Sequence, residues 1–233
     1  MDLSALSRER VEGELQKALL QAPRPSIFFR TLDTMHQLRP WFTEVQRLQG
    51  VPQPPRYHGE GDVWEHTMAV LDAAAGMRAA AKEPRNLLLA ALCHDFGKPE
   101  TTSSDEQGHI RALRHETAGV PLAEAFIKRL TSETEVRRYV ANMVALHMRP
   151  NVIAQGHPKL KTTNRLFDDS LCPEDLLLLC KADRMGQRKE AGYGPVEALL
   201  RSRLEAYRET MAKPGVTGKD LVELGFRPGP AFS

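Results

Sequence analysis

The chain has 233 residues, of which 41% are apolar and 27% charged, with a net charge of +2 and a pI near 8.5. This is the balance of a soluble globular protein with one sizeable core, and it is too mild to argue for nucleic-acid binding by bulk electrostatics. No stretch approaches a membrane span, the N-terminus "MDLSALSRERVEGELQ" has no apolar signal core, and the three cysteines Cys93, Cys172 and Cys180 read as reduced thiols of a cytoplasmic protein.

Periodicity is helical almost throughout, and neither strict alternation nor an "NG" or "DG" hairpin dipeptide occurs. The fold class read from this is all-α. Residues 4–21 form an amphipathic helix with Ser7 as cap and Glu9 in its first turn, where the helix dipole favours a carboxylate. A second helix starts near Ser26. Residues 39–61 are rich in Pro and Gly and read as a connector between a small N-terminal helical piece and the main body. Asp62 and Glu65 stand in capping-box spacing at the head of about five helical turns. "PRNLLLAALCHD" follows, then the loop "FGKPETTSSDEQGHIRALR" and the helix "HETAGVPLAEAFIKRL". "TSETEVRRYVANMVALHM" takes Thr131 or Ser132 as cap and Pro150 as stop. "CPEDLLLLCKADRMG" starts at Pro173, and "GPVEALLRSRLEAYRET" and "TGKDLVELGF" complete the helices.

His94 and Asp95 sit side by side at the end of an apolar helix, and burying both is costly unless each has a partner. His66, His115, His147 and Asp183 occupy similar places, on or at the ends of other apolar helices. Neutral imidazole and carboxylate are ligands of divalent transition metals, so a metal is the partner that makes this burial tolerable. One ion would take His66, His94, Asp95 and Asp183. A second would share Asp95 and add His115 and His147.

The pattern of His66, then His94–Asp95, then Asp183 resembles the HD-domain metal-dependent phosphohydrolase superfamily. "YHGEGDVWEHTMAVLDAAA", "LLLAALCHDFGKPETT" and "HETAGVPLAEAFIKRL" are similar to the HD portion of bacterial CCA-adding enzymes, the tRNA nucleotidyltransferases. "LSRERVEGELQKALL" and "FFRTLDTMHQLRPWFTEVQRLQGVPQ" resemble the helical neck before it, and "VTGKDLVELGFRPGP" the segment after it. The resemblance implies an HD-domain helical bundle over residues 51–212, a small helical neck over 1–50 and a helical extension over 213–233. The chain departs from that family by beginning at the neck and stopping at Ser233, so CCA addition is not expected of it alone. HD proteins similar at His115 and His147 carry a second metal there.

The resemblance also implies hydrolysis of a phosphoester or phosphoanhydride by water activated on divalent ions, Mn, Fe, Co, Ni or Zn rather than Ca. The expected substrates are phosphorylated small molecules, nucleotides, 2′,3′-cyclic phosphates or RNA ends, with no membrane partner. Lys98 is a candidate for holding the substrate phosphate, and Arg114, Arg149 and Arg184 adjoin ligands and are candidates to pair with phosphate oxygens. Asp62 reads as a helix cap, Cys93 and Trp64 as core, His36 and His58 as structural, and His109 and His157 as exposed in loops. Two other classes fit the ligand set: an HD-type di-iron oxygenase, and a non-catalytic, metal-stapled RNA- or tRNA-binding module.

Overall fold

Apolar residues at helical spacing become, in chain order, α1 (Arg8–Gln21), α2 (Ser26–Thr34), α3 (Thr43–Gln46), α4 (Val63–Gly76), α5 (Pro84–Cys93) and α6 (Lys98–Thr101). A hairpin of β1 (Thr102–Ser104) and β2 (Ile110–Ala112) follows, then α7 (His115–Leu130), α8 (Thr134–Leu146), α9 (Arg149–Gln155), α10 (Leu160–Asp169), α11 (Pro173–Gly186), α12 (Tyr193–Met211) and α13 (Gly218–Glu223). This computed structural model describes residues 5–54, 61–156, 158–187, 193–212, 215 and 218–225. The fold is all-α but for that hairpin, and no helix among the described residues is long and apolar enough to cross a membrane.

Every residue of α5 from Leu87 to Cys93 is buried. A helix that is apolar all round must be central, and α1, α4, α8 and α11 pack around it. α7 lies along α8, while α9, α10 and α12 form an outer layer against one another and α11. The stretch read as a connector contributes Phe42, Val45 and Leu48 to the same hydrophobic core as the main body.

α5, α8 and α11 run in one direction, and a single carboxylate ties their starting ends. Asp175, fully buried in the first turn of α11, accepts the backbone N–H groups of Lys82 (2.8 Å) and Glu83 (2.9 Å) just before α5, and the hydroxyl of Tyr139 on α8 (2.8 Å). From Tyr139 to His147 and from Asp175 to Asp183 is the same number of residues, a rise of about 12 Å at 1.5 Å per residue. α8 and α11 therefore deliver His147 and Asp183 to one level.

Two glycines set how closely the elements approach. A Cβ on Gly97 would lie 2.1 Å from the carbonyl oxygen of His115 and 2.7 Å from the backbone nitrogen of Gly119, so only glycine lets the turn after α5 lie on α7. A Cβ on Gly186 would lie 2.4 Å from Val70 Cγ2, so α11 touches α4 there backbone to side chain.

Several expectations need correction. The loop after Asp95 holds α6 and the hairpin, whose turn places Gly108 at φ +79°. α4 is shorter than five turns and ends at Gly76. Its cap is half a capping box: Asp62 Oδ1 accepts the Glu65 N–H at 2.9 Å, but the Glu65 carboxylate is held by Arg30 at 2.7 and 2.8 Å. α8 begins at Thr134 behind Glu133, not at Thr131 or Ser132, because Thr131 closes α7 through its N–H to Ile127 O. Pro150 stops nothing; it sits in the first turn of α9, where its missing N–H has no intrahelical partner to lose. α10 was not expected. Asp175→Ala orphans two backbone N–H groups and a buried phenol; it should lower the unfolding free energy by about 3 kcal/mol in urea titrations.

Candidate metal centre

The far ends of these helices carry the ligand-type residues. His66 lies one turn into α4, His94 and Asp95 follow α5, His115 is the first residue of α7, His147 follows α8, and Asp183 lies in the last turn of α11. None is more than 6% exposed, so bulk water cannot solvate their charges or lone pairs. Two groups result, His66, His94 and Asp183, and Asp95, His115 and His147, each with its ligand atoms within 4.8 Å of one another.

Asp95 spans both groups. Its Oδ2 lies 3.2 Å from His94 Nε2 and 3.6 Å from His66 Nε2, and its Oδ1 lies 3.3 Å from His115 Nε2. Asp183 Oδ1 is 3.0 Å from His66 Nε2. The close approach of Gly186 to Val70, one turn beyond His66, makes that short distance possible.

Backbone carbonyls fix the ring orientations. Nδ1 of His94, His115 and His147 donates to Ala91 O (2.8 Å), Ala112 O (2.9 Å) and Val144 O (2.7 Å). A carbonyl only accepts, so Nδ1 carries the proton and each Nε2 turns a lone pair inward. His115 Nε2 and His147 Nε2 then face each other at 3.2 Å with no proton between them. His94 Nε2 lies 3.3 Å from His66 Nε2. Neither Asp95 oxygen has a hydrogen bond of good geometry, although both are buried. Lone pairs aimed at one another, with an orphaned buried carboxylate between them, are the complement of cations. The mixed imidazole and carboxylate set suits divalent transition ions.

The helices add to this. α5, α8 and α11 all point C-terminal ends, the negative poles of their dipoles, at the centre. α7 instead starts there, turning the positive pole and free N–H groups of its first turn toward the same place. Cations and an anion are thus favoured side by side.

Burial alone would push the Asp95 carboxyl up, but His94, Lys98 and His115 hold it well below the usual carboxylate range. Burial also opposes ionisation of Asp183, and His66 and His94 hold that carboxyl down. Burial, followed by His94 and His115, pushes His147 down to about 3, so it stays a neutral ligand.

All six ligand residues expected from the sequence meet here. Lys98 comes too: its Nζ lies 2.7 Å from Asp95 Oδ2 and donates to Gln53 Oε1 at 2.7 Å. The candidate arginines are more dispersed. Arg149 is held by Asp169 at 2.7 Å, Arg184 by Gln187 at 3.0 Å, and Arg114 is exposed at the start of α7 in a left-handed conformation, φ +59°. Asp62 caps α4, and Trp64 and Cys93 are core, with burial pushing the Cys93 thiol up. His36 reverses the chain after α2 at φ +54°, and His109 is exposed beside Asp105. His58 and His157 lie outside the described residues. Gln53, which donates to Asp62 O at 3.1 Å while accepting from Lys98, was missed; it lies in a Pro-rich stretch with no periodicity to single it out.

The family model of the HD domain matches residues 63–186, the span from the start of α4 to the end of α11. The chain is 35% identical to a "Multifunctional CCA protein" of Methylococcus capsulatus over 99% of its own length and 52% of the relative's. It is 36% identical to one of Alkalilimnicola ehrlichii, covering 97% of this chain and 52% of that protein. A third, of Pasteurella multocida, is 32% identical over 97% and 53%. The chain spans about half the length of the curated relatives it matches.

His147→Ala should halve the metal content measured by elemental analysis of the purified protein, leaving the ion held by His66, His94 and Asp183. Stoichiometry equal to the parent's would contradict two ions. The chelated protein should also lose stability on acidification. Below the ordinary histidine value of about 6.5 the unfolded chain protonates His147 while the folded one does not, and below about 4 the same holds for Asp95 and Asp183. Urea midpoints that stay level from neutral pH down to about 5 would refute this.

Proposed function

The chain belongs to the HD domain family, and we propose that it is a metal-dependent phosphohydrolase working through two divalent ions in the cytoplasm. Its substrates are nucleotides, 2′,3′-cyclic phosphates or RNA ends, and the likeness to CCA proteins tilts the choice toward RNA ends. The observation that carries this reading is the Asp95 carboxylate, placed with one oxygen toward each ligand group. A structural ion is closed by its protein ligands, whereas each group here has three protein donors, or four for the first ion with Asp95 shared. That leaves positions for water and substrate.

His66, His94 and Asp183 would hold one ion and His115 and His147 the other, with Asp95 shared. Bound there, Mn, Fe, Co, Ni or Zn would supply water of lowered pKa at neutral pH and neutralise charge on a phosphate. The protein's own part is positional. The carbonyls of Ala91, Ala112 and Val144 keep three imidazoles in the ligating tautomer, so no proton need leave Nε2 for an ion to bind. Lys98 donates to Gln53 and stands in an ion pair with Asp95, and an ammonium has three N–H donors in all, so it can also offer one to a phosphate oxygen. The first turn of α7 adds backbone N–H groups of the same polarity. Arg114 has an exposed guanidinium to offer beside His115, whereas Arg149 and Arg184 must give up Asp169 and Gln187 to do so.

Asp95→Ala should lose both ions and lower turnover by at least about three orders of magnitude, the scale of losing an electrostatic group central to the transition state. The assay is a panel of phosphomonoesters, 2′,3′-cyclic nucleotides and RNA ends with each metal in turn. A variant that keeps both metal and turnover defeats the proposal. An oxygen-reactive, EPR-visible di-iron centre in anaerobically purified protein would point to the oxygenase class instead.

A further inference from the structure

A cleft of about 790 Å³ lies beside the second ligand group. Glu116 and Met148 line it, and they are the chain neighbours of His115 and His147, so the cleft borders the metal centre. Its volume falls in the upper part of the ~300–1,000 Å³ range of ligand pockets, well beyond the needs of a lone phosphate. On its wall α10 and the residue before it present Lys159, Lys161 and Arg165, all exposed and none in an ion pair with a described residue. Lys161 and Arg165 are one helical turn apart, about 5–6 Å between their Cβ atoms. The opposite face of α10 buries Thr163, Leu166 and Phe167, which fixes the cationic face toward the cleft.

The lining is not only charged. Met148, Val152 and Ile153 add an apolar strip to the lining, and Val152 is 64% exposed. A bare polyphosphate has no use for such a strip, and an apolar ligand has none for three cations that have no ion pair among the described residues. A nucleotide chain has both parts, an anionic backbone and flat base surfaces. Arg149 and Asp169 also line the cleft but neutralise each other, so the free charge rests on Lys159, Lys161 and Arg165 against Glu116.

We propose that this cleft holds the nucleotides that continue from the phosphate at the metal centre, so that the substrate is the end of a single-stranded nucleic acid and not a free mononucleotide. The inference rests on the phosphohydrolase reading for which group reaches the ions, but affinity for the strand does not require turnover. The double variant Lys161→Ala, Arg165→Ala changes two exposed residues to good helix formers, and an unchanged thermal melt would confirm that it folds. Binding of a labelled single-stranded RNA decamer with a 2′,3′-cyclic phosphate end is read by fluorescence anisotropy across a salt series. Loss of two phosphate contacts should reduce the log–log salt slope by about 1.4, so that raising salt from about 50 to about 200 mM weakens the parent roughly sevenfold more than the variant.

The second readout is the ratio of kcat/KM for the decamer to that for the corresponding cyclic mononucleotide, which should collapse in the variant. An unchanged slope and ratio would overturn the assignment, as would a polyphosphate of equal charge that competes as well as the RNA. If nothing is turned over while binding still depends on Lys161 and Arg165, the phosphohydrolase reading fails and the cleft stands. If turnover is present but indifferent to the pair in both readouts, the cleft fails and the phosphohydrolase reading stands.

Discussion

Lone pairs that face one another in a buried interior are the constraint around which this molecule is built. His115 and His147 each have a carbonyl partner on Nδ1 and therefore an unprotonated Nε2, and the two nitrogens are 3.2 Å apart. Left without a cation, that contact is repulsive, and the Asp95 carboxylate beside it is a buried anion with no good hydrogen bond. Lys98 is the charge the chain itself brings to the problem, at 2.7 Å from Asp95 Oδ2. One ammonium cannot serve two groups of three ligands. The arrangement makes chemical sense as a receptor for ions, and its cost in the ion-free state is what ties folding to metal binding.

Much of the remaining architecture places that cluster. The parallel trio of α5, α8 and α11 is registered at one end by Asp175, and this registration sets His94, His147 and Asp183 at the other. The antiparallel helices α4 and α7 then enter from the opposite direction with His66 and His115 in their first turns. Both are held close by glycines, Gly186 against Val70 and Gly97 against His115. Helix polarity follows from the same layout: three negative poles favour the ions, and the positive pole of α7 favours an anionic substrate beside them.

The ligand-type residues were legible in one dimension because helices make them so. An imidazole or carboxylate at the end of an otherwise apolar helix is an anomaly, and six such anomalies in one chain share few explanations. Ligand types, helix ends and the central place of α5 could all be read that way. What lay beyond reach was set by tertiary contacts. Glu65 fits a capping box by spacing, yet Arg30 from α2 takes its carboxylate. α10 buries Thr163, Leu166 and Phe167 at helical spacing, but the stretch is only ten residues long and mostly polar, so in sequence it reads as a loop. The strands "TSS" and "IRA" are too short to alternate. Gln53 depends on a partner far along the chain, and the pairing of Arg149 with Asp169 on the far end of the next helix.

The excursion between Asp95 and His115 has a further meaning. Its two feet are pinned together, since Gly97 lies directly on the His115 backbone, and the antiparallel pairing of Thr102 with Ala112 closes it again just above. Both closures separate the tip, around Glu106 and Gln107, from Asp95 and His115 at its feet. A tip that is lengthened, shortened or redecorated should therefore leave the geometry of those two side chains in place.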